Sequence, residues 1–294
     1  MKRLKHARAI FFLGVAMLIA SAARHAARAE EQVPLPPPKP RNESCDRNTF
    51  RIALDVGHTV EAPGAMSARG TTEYEFNLYL AQDIQRALVE AGFGKTALMI
   101  TDTKPPEGLF ERATRANAMK ADLFIAIHHD SVPDNLMQTW EFEGQEQGYN
   151  DDYPGYAIFI SNDNADRAGS LAFGHALGKA LQARGLQYTS HYTLPLMGHR
   201  RRELLDADAG VYRFDELVVL RYTHMPAVLL EAGSIVNRQE ELELVTVERR
   251  AVTSAAVVAA VEDFCDVRAP ARRVERPIAR TLMPGRANAA PAAR

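Results

Sequence analysis

The chain has 294 residues, of which 46% are hydrophobic and 24% are charged, and its formal net charge is −2. This apolar fraction is ordinary for a globular protein and excludes a wholly disordered one. The near-neutral charge argues against a nucleic-acid binder that relies on bulk positive charge, but it averages two basic ends with an acidic middle. Residues 30–265 hold 22 basic and 35 acidic side chains, which gives this part a net charge of −13.

The two ends predict segments outside the folded domain. Residues 1–29 combine six basic side chains with an apolar run too short to cross a bilayer, which predicts a secretory signal peptide and an exported, periplasmic protein. No stable membrane span is expected after signal cleavage, and an uncleaved anchor is the alternative. Five prolines between positions 34 and 40 predict an extended linker over 30–44. The Arg-, Ala- and Pro-rich residues 266–294 predict a basic disordered tail, which leaves 45–265 as the folded domain.

The chain's two cysteines lie at the margins of that domain. Cys45 opens it and Cys265 closes it. In an exported protein such a pair predicts a disulfide bond, and two buried free thiols are the alternative. Two cysteines this far apart in sequence do not make a structural zinc site.

Within the domain, β-rich apolar runs alternate with segments of helical periodicity. Strands are predicted near 50–56, 97–100, 122–128, 156–160, 217–221 and 227–231, and helices over 73–91, 108–120, 165–183, 238–245 and 247–264. The alternation predicts an α/β fold, a three-layer sandwich in which helices cover both faces of a mostly parallel sheet. Residues 132–154 are predicted to form a polar loop around Trp140, either a lid over a substrate or a solvated surface loop.

Four side chains suited to metal binding or proton transfer lie near the carboxyl ends of predicted strands or at a helix start. They are His58, Glu73, His128 and Glu231. Ligands of open α/β sheets bind at the carboxyl ends of the strands. Two imidazoles and one carboxylate are the ligands of a catalytic zinc ion, and a second carboxylate can take a proton from water. Each residue also has a plain structural interpretation; Glu73, for example, is an acidic residue of the kind favoured at a helix start. Spacing alone therefore leaves open whether these residues bind a metal or serve only the structure.

Four motifs in the same order resemble zinc-dependent N-acetylmuramoyl-L-alanine amidases of the amidase-3 type, which hydrolyse peptidoglycan. The matching segments are Ile52–His58, Gly70–Leu78, Arg112–Asn117 with Ala121–His128, and Met225–Glu231 with Asn237. The resemblance implies that His58, Glu73 and His128 bind Zn²⁺ and that Glu231 is the catalytic carboxylate. It also implies that peptidoglycan is the partner and that the amide between N-acetylmuramic acid and L-alanine of the stem peptide is cleaved.

Some residues depart from the family pattern. Thr59 and Val60 replace the glycines that commonly follow the first histidine, and two histidines end the third strand. Since side chains alternate along a strand, one histidine reaches the metal; the motif selects His128 and leaves His129 as a hydrogen-bonding neighbour. The inhibitory helix of division-associated relatives is not evident, and the sequence names no protein activator.

Two functional alternatives remain open at this level. One is a zinc peptidase or deacetylase acting on another cell-wall substrate, and another is a non-catalytic domain that binds peptidoglycan. The basic run Gly198–Arg202 has two interpretations as well. It is either a contact for stem-peptide carboxylates or a solvated group of charges.

Overall fold

The computed structural model describes residues 45–268. The strands are Arg51–Val56 (β1), Lys95–Met99 (β2), Leu123–Asp130 (β3), Gln138–Phe142 (β4), Gln145–Tyr149 (β5), Ala157–Ile160 (β6), Leu204–Asp206 (β7), Val211–Arg213 (β8) and Ala227–Ser234 (β9). The helices are Glu73–Glu90 (α1), Glu107–Ala118 (α2), Arg167–Gln182 (α3), Val218–Arg221 (α4), Glu240–Leu244 (α5) and Val247–Arg268 (α6). Across these residues no helix combines the length and apolar character that a bilayer crossing requires.

Seven strands form one sheet in the order β2-β1-β3-β9-β6-β8-β7. The four strands β2, β1, β3 and β9 run parallel to one another, β6 is antiparallel to β9, and β8 is parallel to β6. Because β1, β3 and β9 are parallel neighbours, their carboxyl ends meet at one edge of the sheet. The predicted α/β architecture with a mostly parallel sheet is confirmed.

Both faces of the sheet are buried, which explains the continuous apolar character of β3. Ile125 and Ile127 pack on the face covered by α1, α3 and α6, and Phe124 and Ala126 pack on the face covered by α2 and α4. These four side chains have no exposed surface. A strand buried on both sides cannot show the apolar–polar alternation of a surface strand.

The two cysteines are joined. Cys45 and Cys265 form a disulfide bond whose Cα atoms lie 5.4 Å apart, so the start of the domain is linked covalently to α6. The predicted bond is therefore confirmed. Helix α6 continues to Arg268, so the first three residues assigned to the basic tail are helical. The predicted signal peptide, the linker and the rest of the tail lie outside the described residues.

Two predictions of local structure are wrong, and two short strands were not predicted. Residues 132–154 are not an irregular loop, because β4 and β5 pair within them as an antiparallel hairpin. The turn between the two strands places Glu143 and Gly144 at positive φ, as type I′ hairpin turns require. The strand expected at 217–221 is the short helix α4, since a four-residue apolar run does not distinguish the two structures. Strands β7 and β8 have three residues each, too few to show a period.

Candidate active site

The four predicted site residues lie on neighbouring elements at one edge of the sheet. His58 follows β1, His128 lies near the end of β3, and Glu231 lies in β9 directly beside His128 in the strand register. Glu73 is the first residue of α1, whose start is fixed by a capping box between Thr72 and Glu75. The fold therefore brings together residues that are up to 173 positions apart.

Glu73 sits between the two histidines. Its Oε2 is 2.9 Å from Nε2 of His58, and its Oε1 is 2.9 Å from Nδ1 of His128. The candidate ligand atoms of these three residues all lie within 4.8 Å of one another. The arrangement gathers one oxygen and two nitrogen donors, which is the donor set of a catalytic zinc site with an open coordination position.

Two glycines make room for these side chains. A Cβ atom on Gly57 would lie 2.4 Å from Nε2 of His128, and one on Gly64 would lie 2.4 Å from Oε2 of Glu73. Gly64 also has a φ of 81°, which favours glycine over other residues. Any side chain at either position would displace one of the three candidate ligands, so the backbone is shaped around them.

Burial and hydrogen bonding favour the protonation states that a metal needs. Burial alone would raise the pKa of Glu73, but the hydrogen bonds with His128 and His58 outweigh it and hold this pKa below its ordinary value. Burial lowers the pKa of His128, which favours the neutral imidazole. Ionised carboxylate and neutral imidazole are the forms that bind metal.

Glu231 is partly buried, and one oxygen of its carboxylate has no partner among the described residues. Its Oε2 is inaccessible to solvent and makes no hydrogen bond with any residue in the described part of the chain. Burial, with the negative charges of Asp130 and Glu73, raises its pKa well above the ordinary value. An unpaired carboxylate oxygen in such a position is costly unless a ligand or water completes it.

A second polar cluster, which the sequence did not indicate, consists of Asp130, Tyr192 and His191. Asp130 follows His128 by two positions and so projects from the same face of β3; its Oδ1 accepts a 2.6 Å hydrogen bond from the hydroxyl of Tyr192. Oδ2 of Asp130 and Nε2 of His191 are both buried, make no hydrogen bond within residues 45–268 and lie 3.8 Å apart. Burial raises the pKa of Asp130 to about 7.

An ion pair fixes the backbone that carries His58. Nη1 of Arg112 donates to both carboxylate oxygens of Asp55 at 2.9 Å, and the same guanidinium donates to the carbonyl oxygens of Val56 and His58. Asp55 and Arg112 are 1% and 3% exposed. His58 has a φ of 67°, a conformation that non-glycine residues rarely adopt and that costs on the order of 1 kcal/mol or more. Arg112 is therefore a positioning residue for His58.

His129 lies on the opposite face of β3 from His128 and does not join the triad. Its Nδ1 hydrogen bonds to Oδ1 of Asn77 at 2.8 Å, while Nδ2 of Asn77 donates to Oε1 of Glu73 and to the carbonyl of Gly57. Burial lowers the pKa of His129 to about 3. The Asn77 side chain thus connects His129 to the carboxylate between the two candidate ligand histidines.

The hairpin β4–β5 anchors the loop that leads to Glu73. The indole of Trp140 donates a 2.8 Å hydrogen bond to the carbonyl of Ala68, and the guanidinium groups of Arg69 and Arg238 each lie 5.2 Å from its ring. Arg69 and Arg238 are in turn paired with acidic residues, Glu241 and Asp151. The aromatic side of the hairpin is therefore attached to the domain.

Asn237, part of the closing motif, does not lie in the site. Its Oδ1 accepts hydrogen bonds from the backbone N–H groups of Gln239 and Glu240, and its amide donates to the carbonyl of Asp151. It stabilises the start of α5 and the turn beside it.

Comparisons with known proteins agree with this geometry. The family model described as N-acetylmuramoyl-L-alanine amidase matches residues 52–263. The N-acetylmuramoyl-L-alanine amidase AmiA of Salmonella typhimurium is 26% identical over 265 residues, which are 87% of this chain and 91% of AmiA. Among solved structures, the N-acetylmuramyl-L-alanine amidase Ami1 of Mycobacterium smegmatis has a TM-score of 0.57 at 18% identity, covering 74% of this chain and 98% of Ami1. That structural likeness shows the shared fold.

Proposed function

The chain belongs to the N-acetylmuramoyl-L-alanine amidase family and is a peptidoglycan amidase, and on that premise we propose that His58, Glu73 and His128 bind the zinc ion on which its reaction depends. The support is the donor set itself, with its three ligand atoms within 4.8 Å. The two glycines that leave space for it support the same assignment. When bound, zinc supplies Lewis acidity toward the scissile carbonyl and lowers the pKa of water.

We assign the proton transfers to Glu231. Its carboxylate would accept a proton from the water whose oxygen attacks the lactyl carbonyl carbon of N-acetylmuramic acid. When the C–N bond breaks, Glu231 would deliver that proton to the departing amine of L-alanine, so that a lactyl carboxylic acid and a free amino terminus are formed. The observation that carries this role is the buried Oε2 without a partner, beside His128 in the strand register. A raised pKa suits a residue that both takes and returns a proton.

The remaining residues near the site would hold this arrangement without touching the substrate. Arg112 and Asp55 keep the turn after β1 in place, and Asn77 with His129 orients Glu73. Residues that hydrogen bond to metal ligands fix their orientation and sharpen metal affinity.

The test compares the mature chain with two variants on purified peptidoglycan. Glu231→Gln keeps the shape of the side chain but cannot accept the proton, so the rate should fall by roughly 10²–10⁴ while zinc content stays near that of the wild type. His58→Ala should lose both zinc and activity. His175→Ala is the matched control, because His175 is half exposed on α3 and pairs with Asp206.

The products decide between the alternatives. Mass spectrometry should find intact glycan strands and stem peptides that begin with a free L-alanine amine. Cleavage within the peptide, or loss of acetyl groups, would instead support a peptidase or a deacetylase. More than a tenth of wild-type activity in Glu231→Gln would contradict the role of Glu231.

We also propose that the protein is exported to the periplasm, with residues 1–29 as a cleaved signal. The disulfide bond between Cys45 and Cys265 supports this, because such bonds persist in oxidising compartments. Cell fractionation followed by sequencing of the amino terminus tests it. A cytoplasmic chain that retains residues 1–29 would contradict export.

A further inference from the structure

Arg200 places a positive charge beside the candidate active site. It ends the segment Pro195–Arg200, and its Nη2 donates a 2.9 Å hydrogen bond to the carbonyl of Ser131, the residue directly after β3. The same nitrogen lies 3.7 Å from Oδ1 of Asp130, on the face of β3 that also carries His128. Burial raises the pKa of Glu231, and the positive charge of Arg200 opposes that effect.

Arg200 forms only a loose ion pair with Asp130, which leaves N–H donors of its guanidinium without partners in the described residues. Oδ1 of Asp130 already accepts hydrogen bonds from the hydroxyl of Tyr192 and from the backbone N–H of Ser131, and the 3.7 Å separation exceeds hydrogen-bonding distance. A guanidinium has five N–H donors. Within residues 45–268, Ser131 provides the one acceptor at hydrogen-bonding distance from Arg200.

Arg200 is also accessible to solvent, and within the described chain it lacks the close ion pairs of the other arginines around the site. Its side chain is 30% exposed, whereas that of Arg112 is 4% exposed and bound to Asp55. Arg69 and Arg238 are engaged with Glu241 and Asp151. Arg200 thus combines closeness to the reacting groups, open donors and contact with solvent.

The overall charge of the domain gives such a cation a clear use. Residues 45–265 hold 20 basic and 32 acidic side chains, a net charge of −12, so an anionic substrate is repelled unless a local positive charge binds it. The stem peptide next to the scissile amide carries carboxylate groups. A guanidinium binds a carboxylate through two parallel N–H···O bonds, which gives direction as well as attraction.

We propose that Arg200 is a specificity-determining residue that binds the stem-peptide carboxylate nearest to L-alanine, an inference that rests on the proposed function. It selects substrates in which this group is a free carboxylate over those in which it is a carboxamide. The contact is to a part of the substrate that does not react. It therefore strengthens substrate binding more than it speeds the chemical step.

The experiment uses the mature chain and two muramyl peptides that differ only in this group, a free carboxylate or a carboxamide. For the carboxylate substrate, Arg200→Gln should raise KM by roughly tenfold with kcat nearly unchanged, the loss expected for one charge-assisted contact. For the carboxamide substrate the two proteins should differ by less than about twofold. Arg200→Lys should recover part of the difference, since it keeps the charge without the planar fork.

Arg201→Gln is the matched control. Arg201 follows Arg200 in the chain, is exposed, and donates to the carbonyl of Thr193. Its replacement removes the same charge. It should leave both substrates unaffected. Thermal unfolding of Arg200→Gln close to that of the wild type shows that the Ser131 contact is not needed for folding.

A binding measurement separates this proposal from the proposed function. Calorimetry with the Glu231→Gln protein and the two stem peptides, each lacking the sugar, should give tighter binding of the carboxylate form, and Arg200→Gln in that background should abolish the preference. That result supports Arg200 even if the wild type cleaves neither muramyl peptide, which would overturn the function alone. An equal loss on both substrates, or no binding preference, would overturn the role of Arg200.

Discussion

Replacing Arg112 by methionine tests how the backbone of the proposed metal site is held. Methionine keeps much of the length of the side chain but removes the charge and all its donors. Asp55, 1% exposed, is then left as an unpaired buried carboxylate, and the carbonyl oxygens of Val56 and His58 lose their donor. Breaking a buried ion pair from one side costs about 3–5 kcal/mol, a large share of the roughly 5–15 kcal/mol that stabilises a typical domain.

The assay is urea unfolding of the metal-free protein, followed by zinc titration against a chelating dye. Arg112→Met should lower the free energy of unfolding by about 3–5 kcal/mol. It should also weaken zinc binding by roughly tenfold or more, because His58 is no longer held in its left-handed conformation. Arg115→Met is the matched control on the same helix, since Arg115 is exposed and should cost about 0.5 kcal/mol or less.

A second variant tests the reason for the loss. In Asp55→Asn with Arg112→Met, no unpaired charge remains in the core, so stability should exceed that of Arg112→Met alone. The reasoning is refuted if Arg112→Met unfolds within 1 kcal/mol of the wild type, or if the added Asp55→Asn change brings no recovery.

Two further predictions concern the links that hold the domain together. Replacing both Cys45 and Cys265 by serine opens a loop with a sequence separation of 220 residues, and chain entropy limits the loss of stability to about 5 kcal/mol. Urea unfolding of the oxidised wild type and of the double variant measures this loss. Equal unfolding midpoints would contradict the prediction. Trp140→Ala should destabilise the domain by about 2 kcal/mol and weaken zinc binding, because the half-buried indole anchors the loop before Glu73. Glu141→Ala, on the other face of the hairpin, should do neither, and identical behaviour of the two variants would count against the anchoring role.

The local chemistry of the sequence was enough to predict the layers of the fold and to place candidate side chains at one edge of the sheet, and the family resemblance gave the four site residues their expected roles. Apolar runs that alternate with helical periodicity led to the sandwich, because burial on both faces gives β3 its unbroken apolar character. His58, His128 and Glu231 could be chosen because parallel strands share one carboxyl edge. The cysteine pair at the domain margins predicted the disulfide bond, because paired cysteines of an exported protein lie in an oxidising compartment.

The sequence did not reveal what depends on contacts between distant segments. Arg112 and Asn77 lie within the recognised motifs, but the sequence indicated no role for them because their hydrogen-bond partners lie 20 to 57 positions away. The alternation of side chains along β3 places Asp130 on the same face as His128. Its contacts with Tyr192 and His191 form only when the segment that carries those two residues packs against β3. The predictions for the hairpin at Trp140 and for the helix at Val218–Arg221 were wrong because the hydrophobic periodicity of such short runs does not distinguish helix, strand and loop.

The sequence by itself determined the acidic character of the domain, the α/β alternation and the residue types able to bind zinc and move a proton. These follow from composition, from local periodicity and from chemistry that each side chain carries wherever it stands. Only the tertiary structure decided that Glu73 lies between two imidazoles, that Oε2 of Glu231 has no partner within the described residues and that Arg200 lies 3.7 Å from Asp130. Distances, burial and unpaired donors belong to the assembled sheet edge, because each arises from segments that meet only when the chain has folded.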